Sequence, residues 1–125
     1  MDMKFSLVPV PVADIDRAKS FYVDQVGFHA DHDVRPGAGL RVVQLTPPGS
    51  ACSIVLGEGM PGLVMPPGSL RGLHLVVDDI EAVRDALIGR GVAMGNIDDM
   101  GGVKYAGFSD PDGNTWTLQE IPAHF

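Results

Sequence analysis

Few side chains in this sequence could do chemistry near neutral pH, and most of them fall on strand-like runs. His74 sits in Leu73-His74-Leu75-Val76-Val77, where period-2 alternation puts Gly72, His74 and Val76 on one face. An imidazole there suits three roles: a partly buried histidine bonded to a backbone carbonyl or water, a ligand-contacting acid–base group, or a metal ligand. The same alternation groups Thr115, Thr117 and Gln119 on one face of the last run, and Ser53 with Val55 earlier in the chain. Gln44 breaks an apolar run and faces either a pocket or an exposed sheet edge, while Tyr105 and Met100 lie near the rim of the second half. These hydroxyl, amide, phenol and imidazole groups can bind and orient a small molecule or move a proton.

Other reactive types read as ordinary structure. His29 and His32 at i, i+3 point to opposite faces of a regular strand, so they read with Asp31 and Asp33 as exposed edge residues. Asp98-Asp99 and Asp110/Asp112 lie in turn contexts. Cys52 reads as a small buried hydrophobe without a basic neighbour, Trp116 as core beneath a helix, and His124 as a solvated tail residue. Neither Gly37-Ala38-Gly39 nor Gly57-Glu58-Gly59 has the context of a phosphate loop.

The elements that must hold these groups come from a repeat. Val8–Asp16 (VPVPVADID) superposes on Leu73–Glu81 (LHLVVDDIE), each a short apolar strand running into an acidic helix start. Asp14 is a candidate N-cap, and Asp78 with Glu81 has capping-box spacing. One apolar stripe follows in each copy, Ile15, Ala18, Phe21 and Tyr22, then Ile80, Val83, Ala86 and Leu87. Gly27 and Gly91 suit the helix ends. Strand-like runs come next, at Phe28–Val34, Leu40–Thr46 and Ala51–Leu56, then at Val92–Ile97, Val103–Ser109 and Asn114–Ile121. Each half reads βαβββ, giving an α+β fold of two tandem modules with curved mixed sheets around a central cavity. The expected division is a single domain 1–125, with half-module 1–57, linker 58–71, half-module 72–121 and tail 122–125. Each half should cover the other's open face and leave a pocket between them.

The 125 residues carry 45% apolar and 20% charged side chains and a formal charge of −7, which suits a packed domain and disfavours nucleic acid as partner. No apolar run reaches the roughly 18 residues of a membrane span, and the start lacks a signal-peptide pattern. With one cysteine and no export signal, the expected location is the cytoplasm.

The repeat, the start VADIDRAKSFY followed by VGF, the second start HLVVDDIEA and the ending FSDPDGNTWTLQE resemble the vicinal oxygen chelate superfamily. That group includes glyoxalase I, the bleomycin-resistance proteins and the extradiol dioxygenases. The resemblance implies a divalent metal held by about four inward residues, on the first and last strands of each half. Carried over one by one, those positions fall on Leu7, Val55, Gly72 and Thr117, none a usual metal ligand. The expectation is therefore a protein of glyoxalase/bleomycin-resistance type that binds a small organic molecule without metal or other cofactor. Its ligand-contacting residues are Gln44, Ser53, His74, Tyr105, Thr117 and Gln119. The alternative is a glyoxalase-type lyase or isomerase with His74 as catalytic acid–base or atypical ligand of a divalent metal. The resemblance also implies pairing into a homodimer, to which the apolar residues of Met60–Pro67 could contribute.

Overall fold

The computed structural model describes residues 1–62 and 64–123, so His124 and Leu63 lie outside the described residues. Two four-stranded mixed sheets form the frame. The first has the order β1-β4-β3-β2, from β1 (Leu7–Pro9), β2 (His29–Gly37), β3 (Leu40–Thr46) and β4 (Ser53–Glu58). The second repeats it as β5-β8-β7-β6, from β5 (Leu73–Val76), β6 (Asp98–Met100), β7 (Val103–Ser109) and β8 (Thr115–Glu120). In each, the first strand pairs parallel with the last and the remaining pairs are antiparallel. The fold is the expected two-module α+β arrangement.

The helix starts follow the acidic signals, with one shift. Asp14 caps α1 (Ile15–Ser20) by accepting from Arg17 N at 3.1 Å, and α1 continues as a π-helical segment, Phe21–Val26, closed by Gly27 at φ +97°. In the second half Asp79, not Asp78, caps α2 (Ile80–Gly89), accepting from Ala82 N at 3.0 Å. The capping box is not formed. Glu120 of β8 accepts from Ile80 N at 2.9 Å, and Glu81 faces Lys104 at 3.1 Å. Asp79 and Glu120 thus satisfy orphan N–H groups in the first turn of α2, and Glu81 pairs with Lys104 instead.

The expected strand Val92–Ile97 is replaced by the short β6 at Asp98–Met100. Val92 turns into the core instead, and only Gly95 N donates to Gly107 O at 2.8 Å. Asp98 and Asp99 are therefore strand residues at an exposed edge, with Asp99 also accepting from Gly102 N in the following turn.

The halves bury each other through their helix-bearing faces, not through the open faces. Val43, Leu45, Ile54 and Leu56 of the first sheet share one core with Ala106, Phe108, Trp116 and Leu118 of the second. Aromatic rings carry the junction. Trp116 lies 5.7 Å from Tyr22 and 5.6 Å from Phe28, and Phe21 lies 6.3 Å from Phe108. Trp116 is core beneath a helix, as expected, but besides Phe108 of its own half it meets two rings, Tyr22 and Phe28, from the other. Large aromatics bury much area per residue, and the outer faces carry polar side chains instead, so the contact forms on the aromatic side.

A buried polar knot reinforces this junction. Asp110 Oδ2 accepts from Tyr22 Oη at 2.7 Å and from Asn114 Nδ2 at 2.8 Å, while its Oδ1 accepts from the Asp112 and Asn114 backbone N–H groups. Asn114 also donates to Pro11 O, and Trp116 Nε1 donates to Tyr22 Oη at 2.9 Å. Burial, then the Asp110 hydrogen bond, push the Tyr22 phenol far above its ordinary range. The Asp110-Pro111-Asp112-Gly113-Asn114 turn is thus both a hairpin turn and the clasp between halves.

Candidate functional site

With both inner faces spent on the core, the outer faces carry the remaining polar side chains. On the second sheet, His74 stands opposite Thr117, and Gln119 stands between Val76 and Tyr105. These directly paired residues share a face, which gathers His74, Tyr105, Thr117 and Gln119 as the alternation requires. The His74 and Tyr105 rings meet edge to face, 6.4 Å apart. His74 Nδ1 lies 2.6 Å from Gly72 O, and a carbonyl only accepts, so Nδ1 donates this bond. His74 therefore has the expected backbone-carbonyl bond and is exposed rather than partly buried. Around Gly107, with Ser109, Thr115 and Thr117 at its walls, lies a hollow of about 470 Å³.

On the first sheet a row of hydrogen bonds crosses three strands. Gln44 Nε2 donates to Ser53 Oγ at 3.3 Å, the Ser53 and Thr46 hydroxyls lie 2.6 Å apart, and Thr46 Oγ1 donates to Asp31 Oδ2. Ser53 is only 6% exposed, so these bonds form mostly out of water. Asp31 reaches the row through a β-bulge. His29 pairs with Thr46 and His32 with Gln44, leaving three residue steps of β2 opposite two of β3. The extra residue lets Asp31 join Thr46. The bulge also overturns the expectation of opposite faces, because His29 and His32 both stand opposite residues of the Gln44–Thr46 face. His29 Nε2 is 3.8 Å from Asp31 Oδ1 and its side chain is 76% exposed.

The outer faces meet at the seam between halves. A cleft of about 220 Å³ is walled by Ser53 and Cys52 on one side and by His74, Leu73 and Leu75 on the other, with Trp116 and Phe5 also contributing. Ser53 and His74 come together here, Gln44 joins through Ser53, and Tyr105 through His74. Thr117 lies in the separate hollow over Gly107, and Gln119 lines neither cavity. Cys52 is half-buried in the cleft wall rather than sealed in the core.

Of the four positions that the resemblance assigns to a metal, Leu7, Val55 and Thr117 lie on β1, β4 and β8, whereas Gly72 lies just before β5. Leu7 is opposite Ser53, Val55 opposite Gln44 and Thr117 opposite His74. Gly72 has φ +73°, a left-handed conformation that a histidine rarely adopts. Two aliphatic groups, a glycine and one hydroxyl do not make a donor set for a divalent ion. Among the described residues, Asp79, Glu81 and Glu120 bring carboxylates together elsewhere, but backbone N–H groups of α2 and Lys104 already engage them.

Two features escaped the sequence. Thr46 lies two residues after Gln44, so alternation alone could have placed it in the row. Arg41 is nearly buried on the inner side and bonds Asp33 through Nε and Nη2 at 3.0 and 2.9 Å, with Asp16 at 2.8 Å. The Arg41 guanidinium, followed by Lys19, holds the Asp33 carboxyl well below the usual carboxylate range.

Comparison with known proteins agrees with this geometry. A family model described as the Glyoxalase/Bleomycin resistance protein/Dioxygenase superfamily matches residues 4–118. The chain is similar to TnmS3, an antibiotic binding protein from Streptomyces sp. CB03234, at 42% identity over 97% of this chain and 98% of that one, with a TM-score of 0.85. A glyoxalase/bleomycin resistance protein from the same organism is 44% identical over 92% of this chain and 98% of its own, with a TM-score of 0.79. A superfamily member from Sphaerobacter thermophilus is 31% identical over 95% and 98%, with a TM-score of 0.82. No curated protein matches the chain. The chain belongs to the glyoxalase/bleomycin resistance protein/dioxygenase superfamily.

Proposed function

We propose that this protein binds a small organic molecule on the outer faces of its sheets and in the seam cleft, without a bound metal. The observation that carries this reading is the chemistry at the outer faces. Imidazole, phenol, amide and hydroxyl groups of His74, Tyr105, Gln119, Gln44 and Ser53 face outward, while the positions where relatives would hold a metal are Leu7, Val55, Gly72 and Thr117. The 42% identity to an antibiotic binding protein supports the same class of ligand.

The chain works as a homodimer in the cytoplasm. Its accessible surface is 7350 Å², about 900 Å² above the roughly 6,400 Å² that area scaling gives for its mass. Exposed Met1, Met3 and Phe5 continue the chain upstream of β1, and Val76 and Met100 stand open on the second sheet. A partner copy over such surface completes the ligand site. Sedimentation showing only monomers would remove this part of the reading.

The deciding experiment is a thermal-shift screen of antibiotics and metabolites together with elemental analysis of the purified protein. Binding raises Tm by mass action. A panel in which nothing shifts Tm sinks the binding reading, and stoichiometric Ni, Zn, Mn or Fe sinks the metal-free part. The second reading, a glyoxalase-type lyase or isomerase, is favoured by one observation, the bond of His74 Nδ1 to Gly72 O, which leaves Nε2 as the ring nitrogen to exchange a proton with a ligand. Turnover abolished by His74→Gln would select it.

A further inference from the structure

The hydroxyl row of the first sheet has a direction, and the direction selects the ligand. An ionised carboxylate only accepts, so the Thr46 hydroxyl proton points at Asp31. Between the Thr46 and Ser53 oxygens, 2.6 Å apart, the shared proton must then come from Ser53. Ser53 Oγ can accept only from Gln44, which fixes the amide orientation with Nε2 toward Ser53 and Oε1 free. The two hydroxyl protons and one Gln44 N–H are thereby committed along the row. Among the described residues the row leaves free the second Gln44 Nε2–H and Oε1 at one end and, at the other, the charged Asp31 Oδ1, with His29 at 3.8 Å. The Asp31 side chain is 25% exposed, so its charge is partly desolvated yet reachable.

Resting on the ligand-binding reading above, we propose that the Gln44–Ser53–Thr46–Asp31 row is a subsite for a hydrogen-bond-donating group of the ligand, a protonated amine ahead of a neutral hydroxyl. Carboxylates are disfavoured there, because at the Asp31 end they meet a like charge and an acceptor-only group. Asp31 acts at a distance as well. By setting the proton order it keeps Nε2 rather than Oε1 of Gln44 on Ser53, so it is a positioning residue for Gln44 and a direct partner for a cation.

Three probes that share a ring and differ in the head group test this: benzylamine, benzyl alcohol and benzoate, added to the full chain at millimolar concentration. The readout is the ¹H–¹⁵N signal of the Gln44 side-chain amide and of the Thr46 and Ser53 backbone amides. Benzylamine should move these signals most, benzyl alcohol less and benzoate not at all. Asp31→Asn should weaken benzylamine at least ten-fold and benzyl alcohol only a few-fold. If Asp31→Asn does not fold, Thr46→Val cuts the row and should lower the preference of the site for benzyl alcohol over benzoate. Equal binding of benzoate, indifference to both substitutions, or no response of these signals to any probe overturns the proposal. A screened compound that raises Tm without moving Gln44, Thr46 or Ser53 signals also overturns it, and leaves the ligand-binding reading intact. A screen without any stabilising compound removes that reading instead, and the probes still decide the row.

Discussion

The outer faces of the two sheets descend from the same repeated unit and have been finished differently. On the first sheet the polar groups bond to one another across β2, β3 and β4, from Gln44 to Asp31. On the second, His74 bonds only its own backbone neighbourhood through Gly72, and it meets Tyr105 ring edge to ring face. The first face is preorganised, with rotamers set before any ligand arrives. The second keeps its donors and acceptors uncommitted, so binding there carries a larger ordering cost. The difference teaches that one half can supply rigid recognition while the other adapts.

Both faces depend on the inner junction holding the halves in fixed relation, so the largest effect should come from there. Asp110→Ala strips acceptors from Tyr22 Oη, Asn114 Nδ2 and two backbone N–H groups, and should cost roughly 3–5 kcal/mol by denaturant unfolding. A loss under about 1 kcal/mol would mean the clasp is ornamental and the faces are held by the aromatic rings alone. Next comes the preorganised face. Ser53→Ala removes the middle of the row at a nearly buried site and should cost about 1–2 kcal/mol. His74→Ala, on the adaptable face, should change stability by less than about 0.5 kcal/mol while weakening ligand binding. Equal stability losses at Ser53 and His74 would erase the contrast between faces.

Gly72→Ala asks whether the second face tolerates a side chain at a position that the resemblance assigns to a metal ligand. At φ +73° it should cost about 1–2 kcal/mol in thermal unfolding, and Gly72→His should cost as much without conferring metal binding. The smallest effect concerns acid. Asp33 is held below its unfolded value, near 3.9, by Arg41, so its stabilisation is present above that value and is lost as pH falls through the folded one. Asp33→Asn should flatten the acid limb of a stability–pH curve below about pH 4 by at most about 1 kcal/mol, since the pair is partly solvated.

Much of this architecture was legible in the sequence because it rests on local rules. The acidic helix starts, the glycine stops and the period-2 runs gave both βαβββ halves, and alternation alone grouped His74, Thr117 and Gln119. What stayed hidden depends on distant parts of the chain. The bulge at Asp31 has no mark in HADHDV, and it reversed the facing of His32 relative to His29. Glu120 serves Ile80 N at the start of α2 because the sheet brings it from 40 residues away, and Glu81 pairs with Lys104 instead. The route of mutual burial was missed for the same reason. Tyr22 and Trp116 each read as core of their own half, and only tertiary structure joins them through Asp110.

The clasp also bears on how a duplicated chain loses its symmetry. The β7–β8 turn carries Asp110 and Asn114, whereas the β3–β4 turn, Pro47-Pro48-Gly49-Ser50, has no acid to offer. The lock thus belongs to one half and the keyhole, Tyr22 and the Pro11 carbonyl, to the other. Two copies of the first half would have no lock, and two copies of the second no keyhole. The ancestral halves have become complementary rather than interchangeable, so each is free to change its outer face only as long as the other keeps its side of the lock.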